Sequence, residues 1–139
     1  MRCLIVGRPR NAAKLKDRAF AGHGIKIELT GSKRTAIISM WISQPDAIFL
    51  DLDLADGSGL DVVKEAAGRC PHVPIFVFSR RPQADPLKLM TDHSNVRAVV
   101  NRRLCAEEVV AMARSLDGVR RRPFVSSPRR IAEICAAAH

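Results

Sequence analysis

The segment from Ala47 to Leu60, AIFLDLDLADGSGL, constrains the fold more than any other part of the chain. Ala47, Ile48, Phe49 and Leu50 form an unbroken apolar run that leads directly into Asp51. A polar loop follows with Asp53, Asp56, Gly57, Ser58 and Gly59, and then Leu60, Val62 and Val63 open an amphipathic stretch. A strand exposed on one face alternates apolar and polar residues. A continuous run therefore implies burial on both faces, in a parallel sheet covered by helices. Asp51 then stands at the carboxyl end of that strand, the edge of an open α/β sheet where ligands and chemistry gather.

The rest of the chain repeats the alternation. Cys3, Leu4, Ile5 and Val6 read as a short buried strand that ends at Gly7-Arg8-Pro9. A helix is predicted through about residue 21, with Ala12, Leu15 and Phe20 inward and Gly22-His23-Gly24 as its stop. Residues 25–29 alternate with period two, which predicts a half-exposed strand at a sheet edge. Thr30 or Ser32 caps a helix over 34–43 carrying Ile37, Ile38, Met40 and Trp41, and Gln44-Pro45-Asp46 turns into the central strand. Beyond the central loop come a helix over 60–69, an apolar strand over 75–78 and the basic loop Ser79-Arg80-Arg81-Pro82. A weaker helix over 85–91, a strand over 96–100 and a helix over 105–116 complete the pattern. Glu107 and Glu108 lie in the first turn of the last helix, where its dipole favours negative charge. Five strand–helix units in alternation imply a parallel sheet flanked by helices.

The run Leu50 to Leu60 resembles the phosphoacceptor segment of response-regulator receiver domains. In that family the aspartate ending the third strand accepts a phosphoryl group from a histidine kinase, and a Gly-Leu pair opens the next helix. The resemblance maps the phosphoacceptor onto Asp51 and the Gly-Leu pair onto Gly59-Leu60; Ala55 departs from the proline common at its position. It implies a flavodoxin-like (CheY-like) α/β fold: a five-stranded parallel sheet of order 2-1-3-4-5 with helices on both faces. The receiver-like domain covers residues 1–117. The arginines and prolines after it, with the short apolar run from Ile131 to Ala138, read as a basic linker and a short C-terminal helix or tail over 118–139.

The resemblance also shows what is missing. Phosphoryl transfer to a carboxylate needs a divalent cation to offset charge on the phosphoryl oxygens, a fixed cation to pair with the product and a hydroxyl to read it out. Hard cations such as Mg²⁺ take oxygen ligands, which the family supplies from an acidic pair just after the first strand. Gly7 and Arg8 occupy that place. Two unit charges about 4 Å apart interact by about 4 kcal/mol at an effective dielectric of about 20, so Arg8 would oppose Mg²⁺. The expectation is an Arg8–Asp51 ion pair in place of the metal, with no metal or other cofactor. The family's hydroxyl maps onto Ser79, although serine after a strand is also common turn chemistry. Its lysine maps onto Arg102, with Arg103 following; a slip of one residue would put Asn101 there. Arginine and lysine differ in reach and geometry, and the proline after the family's lysine is absent. Val99 stands where the family often has an aromatic switch residue. Asp53, Asp56 and Gly57 form the loop beside Asp51.

Composition bounds the function. The chain has 139 residues, 47% of them hydrophobic, enough for one domain with a full core. No apolar run approaches the roughly 18 residues of a membrane span, and the apolar stretch at the amino terminus is too short for a signal peptide. Four cysteines lack CxxC spacing, which points to reduced thiols, and the expected location is the cytoplasm. The net charge of +9 invites a polyanionic partner, either nucleic acid or an acidic protein surface. Aromatics are only 4%, too few for a base-stacking platform. No dinucleotide, phosphate-loop or nucleophile-elbow motif is present, and His23, His72 and His93 are isolated, so no enzyme is expected.

The leading expectation is an atypical, pseudo-receiver-like module in two-component or phosphorelay signal transduction or transcriptional regulation. It would act mainly through protein contacts, with a histidine kinase or output protein as partner and phosphorylation weakened or lost. Dimerisation through the face of the fourth helix, fifth strand and fifth helix is the family's common mode; Leu87, Met90, Val109 and Met112 lie in those elements. The alternatives are a phosphorylatable receiver using Asp51 and a basic nucleic-acid-binding regulator.

Overall fold

Apolar runs without alternation decide the architecture. In the computed structural model, which describes residues 1–10, 24–80 and 86–120, five strands form one sheet: β1 (Arg2–Val6), β2 (Lys26–Thr30), β3 (Ala47–Asp51), β4 (Ile75–Phe78) and β5 (Val96–Val100). All neighbours are parallel, and the order is β2-β1-β3-β4-β5. A two-stranded hairpin, Asp53–Leu54 against Gly57–Ser58, lies outside this sheet in the loop after β3. The expected flavodoxin-like sheet is thus present, and the alternating strand β2 is at its edge.

Successive residues of one strand serve two cores. Cys3, Ile5, Ala47, Phe49, Phe76 and Phe78 join one apolar cluster, which α4 (Ala106–Arg120) covers with Ala106, Val109, Met112, Ala113 and Leu116. Leu4, Val6, Ile48, Leu50, Ile75 and Val77 join the other. That face is covered by Ala36 and Met40 of α1 (Lys33–Ile42) and by Val62, Val63 and Ala66 of α2 (Leu60–Arg69). Both faces of the central strands need apolar side chains, hence runs without alternation. Phe49 and Phe76 stack with centroids 5.2 Å apart. Burying each such side chain contributes about 1.5–3 kcal/mol.

The short helix α3 (Pro86–Asp92) opens on proline, whose fixed φ and missing N–H suit a first helical position. α4 runs to Arg120, past the expected end at residue 116 and through the start of the expected linker. The helix expected before residue 21 and the apolar run from Ile131 to Ala138 lie outside the described residues. Among the described residues, no helix is long and apolar enough to cross a membrane.

Candidate functional site

β3 delivers Asp51 to the carboxyl edge of the sheet, between the ends of β1 and β4. Backbone hydrogen bonds tie this edge together: Gly7 N–H donates to Thr30 O (2.8 Å), Leu52 N–H to Phe78 O (3.0 Å) and Ser79 N–H to Val100 O (3.0 Å). A cleft of about 660 Å³ opens above Asp51. Its lining includes Gly7, Arg8, Gly31, Asp51, Asp53, Leu54, Ala55, Gly57, Ser58, Leu60, Arg80 and Arg103.

Two glycines let the backbone close around Asp51. Gly7 has φ of 127°, and a Cβ there would lie 2.7 Å from the Cβ of Asp51. Side chains rarely adopt such a φ, and the space is already taken. The family's first acidic position is thus closed by backbone geometry as well as by residue choice. Gly59 opens α2 so close to β3 that a Cβ would meet Asp51 O at 2.6 Å.

Asp51 is half-buried, and its Oδ1 accepts a hydrogen bond from the Asp53 N–H at 2.9 Å. Burial pushes its carboxyl above the ordinary value and the Asp53 carboxylate adds to this. The Asp53 N–H and the guanidiniums of Arg103 and Arg80 pull the other way without cancelling it.

The cations at this site are only in part those the sequence pattern assigns. Arg8 is exposed and lines the cleft, but no ion pair joins it to Asp51 among the described residues. Gly7 occupies the space beside Asp51, and the guanidiniums acting on the carboxylate come from Arg103 and Arg80. Arg102 does not line the cleft; it pairs with Glu108 in the first turn of α4 at 3.0 Å. Arg103, one residue on, faces the cleft instead. Neighbouring residues leaving a strand point in different directions, and no local pattern says which one turns inward. Ser79 is buried, with 2% exposure, and also lies off the cleft lining.

Asp56 belongs to a different device. Its Oδ1 accepts from the Lys33 N–H at 2.8 Å and its Oδ2 from the Arg34 N–H at 3.1 Å, so it caps α1 from 23 residues away. These two bonds hold its carboxyl below the ordinary range. Ser32 caps the same helix, accepting from the Thr35 N–H at 3.2 Å. Lys33 in turn pairs with Asp61 of α2 at 3.1 Å, its Nζ beside Gly57. The loop over 53–59 is therefore clamped to α1. A cap supplied from another element leaves no trace in the helix's own sequence, which has no acid in its first turn.

Among the described residues, no group of three or more His, Cys, Asp or Glu is arranged to hold a metal. His72 is exposed, His93 is partly buried, and His23 lies outside the described residues. Cys3 and Cys70 are buried and Cys105 is partly exposed.

No family model matches the chain. In sequence it is 39% identical over 62 residues to the regulatory protein LuxO of Vibrio vulnificus and 38% identical over 61 residues to LuxO of Vibrio cholerae. These matches cover 45% and 44% of this chain but only 14% and 13% of those proteins. In structure the chain is similar to a two-component response regulator from Clostridium difficile, with a TM-score of 0.65 and 23% identity over 89% of this chain and 99% of that one. It is also similar to the signal receiver domain of a LuxO repressor protein from Vibrio parahaemolyticus, with a TM-score of 0.66 and 19% identity over 98% of this chain and 95% of that one. A third similar structure is the response regulator TrrA of Thermotoga maritima, solved in complex with Mg²⁺-BeF, with a TM-score of 0.59 and 19% identity over 83% of this chain and 97% of that one. The chain has the fold of response-regulator receiver domains.

Proposed function

We propose that the chain is an atypical receiver domain of two-component signalling that acts through protein contacts, with metal-dependent phosphorylation of Asp51 weakened or lost. The observation that carries this reading is the wall facing Asp51. Where a receiver presents an acidic pair, this cleft presents Gly7 at positive φ, packed on the Asp51 Cβ, and then an arginine. Mg²⁺ prefers six oxygen ligands in near-octahedral geometry. The side-chain carboxylates lining the cleft are Asp51 and Asp53, and three arginines line it with them. That donor set does not fit the ion. The role is one of binding rather than catalysis.

A second reading, a phosphorylatable receiver, draws on Asp51 itself, which is half-buried at the end of the central strand as a phosphoacceptor requires. Incubating the chain with acetyl phosphate and Mg²⁺ and measuring intact mass separates the two. Little or no phosphoryl adduct is expected. A stoichiometric, Mg²⁺-dependent adduct that Asp51→Asn abolishes would overturn the first reading.

For partners, the face formed by α3, β5 and α4 remains the expected docking or dimer surface. Val109 and Met112 are fully buried, whereas Leu87 on α3 is 74% exposed.

A further inference from the structure

We propose that the cleft above Asp51 is a metal-independent binding site for a small molecule carrying a phosphate group, held by Arg8, Arg80 and Arg103. This rests on the reading that metal-dependent chemistry at the cleft is weakened, and its test is separable from that reading.

Several basic side chains elsewhere on the molecule are neutralised by an acidic partner. Arg2 pairs with Glu28, Lys33 with Asp61, Arg69 with Glu65 and Arg102 with Glu108. Arg8, Arg80 and Arg103 line one cleft, and none of them makes a side-chain hydrogen bond or an ion pair among the described residues. Three guanidiniums against the carboxylates of Asp51 and Asp53 leave an excess of positive charge. Like charges collected at one concave site repel each other, and a bound anion relieves that repulsion. Guanidinium suits phosphate in particular, because its planar fork donates two parallel hydrogen bonds to two oxygens.

The three arginines also ride on anchored backbone. They come from three different strand ends, those of β1, β4 and β5, which the sheet order brings to one edge. The segment after Arg8 is clasped to the segment after Arg103. Arg10 N–H donates to Leu104 O at 2.8 Å, and Ala106 N–H donates to Arg10 O at 2.9 Å. Arg80 follows Ser79, whose N–H is bonded to Val100 O. Their Cα positions are therefore fixed before any ligand arrives, which lowers the ordering cost of binding.

Size and lining favour an ester over the bare ion. The cleft of about 660 Å³ falls within the roughly 300–1,000 Å³ usual for small-molecule sites. Leu54, Ala55 and Leu60 offer an apolar wall to the body of a ligand. The Asp51 carboxylate repels a dianion, so the phosphate sits toward the arginine rim and the body reaches the apolar wall.

The test titrates the full chain by calorimetry in EDTA, with AMP, inorganic phosphate and adenosine as probes. AMP is expected to bind without divalent cation and more tightly than inorganic phosphate, and adenosine is expected not to bind. Replacing two of the three cleft arginines, Arg80→Gln with Arg103→Gln, should weaken AMP binding at least tenfold, or about 1.4 kcal/mol. Arg114→Gln, an exposed arginine on α4, should leave it unchanged. Asp51→Asn should bind AMP at least as tightly as the parent chain. That variant cannot be phosphorylated under either reading of Asp51, so the two questions have separate answers. The proposal fails if binding requires Mg²⁺, if it survives the double arginine substitution, if Asp51→Asn abolishes it, if inorganic phosphate binds but AMP does not, or if no heat is seen up to about 10 mM probe.

Discussion

A single residue separates Phe49 from Asp51 on β3, yet the strand passes between two regimes over that distance. Phe49 is fully buried, stacked on Phe76, with apolar neighbours from β1, β4 and α4. Asp51 is half-buried in a cleft with three arginines, against a glycine backbone that leaves no room for another side chain. On both faces of the sheet the central strands meet apolar side chains. The carboxyl edge is matched in shape by Gly7 and Gly59 but not in charge. An edge of that kind contributes little to stability and is free to bind something else, whereas the interior has no such freedom.

The contrast breaks most visibly in the interior. Phe49→Ala removes a ring packed on a covered sheet face and should cost about 3–5 kcal/mol in chemical denaturation. A loss under about 1 kcal/mol would mean that the β3 core is not close-packed as described. Gly7→Asp restores an acidic residue where receivers have one. With φ of 127° and a Cβ at 2.7 Å from Asp51, it should destabilise the chain by about 1–3 kcal/mol. It should also fail to create Mg²⁺ affinity in a fluorescence or calorimetric titration. Tight Mg²⁺ binding by this variant would show that sequence alone, and not backbone geometry, closes the metal site.

Two carboxylates sharpen the comparison because their environments shift them in opposite directions. Burial raises Asp51, so the folded state holds its proton more tightly than the unfolded chain. Its ionisation therefore costs stability as pH rises through the raised value. Asp51→Asn should melt higher than the parent at neutral pH, and the gain should vanish below about pH 4, where the carboxyl is protonated in both states. Asp56 is lowered by the α1 backbone amides. Its contribution is present above the ordinary carboxylate value and is lost as pH falls through the lowered one. Asp56→Ala should show the smallest effect, a modestly lower melting temperature at pH 7, with the gap to the parent closing on acidification. A gap that persists at low pH would mean that the clamp on α1 does not depend on this charge.

The sequence by itself determined the sheet. Unbroken apolar runs at β3 and β4, a period-two run at β2 and turn residues between them leave a parallel α/β arrangement as the way to bury both strand faces. It also placed Asp51 at a strand end and left no acidic pair after β1, because both are facts of chain position. What tertiary structure alone decided was which charges meet. Arg103 rather than Arg102 turns to the cleft, Arg80 acts on Asp51 while Arg8 forms no pair with it, and Asp56 serves a helix 23 residues away. Hydrophobic pattern survives averaging over a face. The partner of a single charge depends on side-chain directions and distances of a few ångströms between segments far apart in the chain, and no local period encodes them.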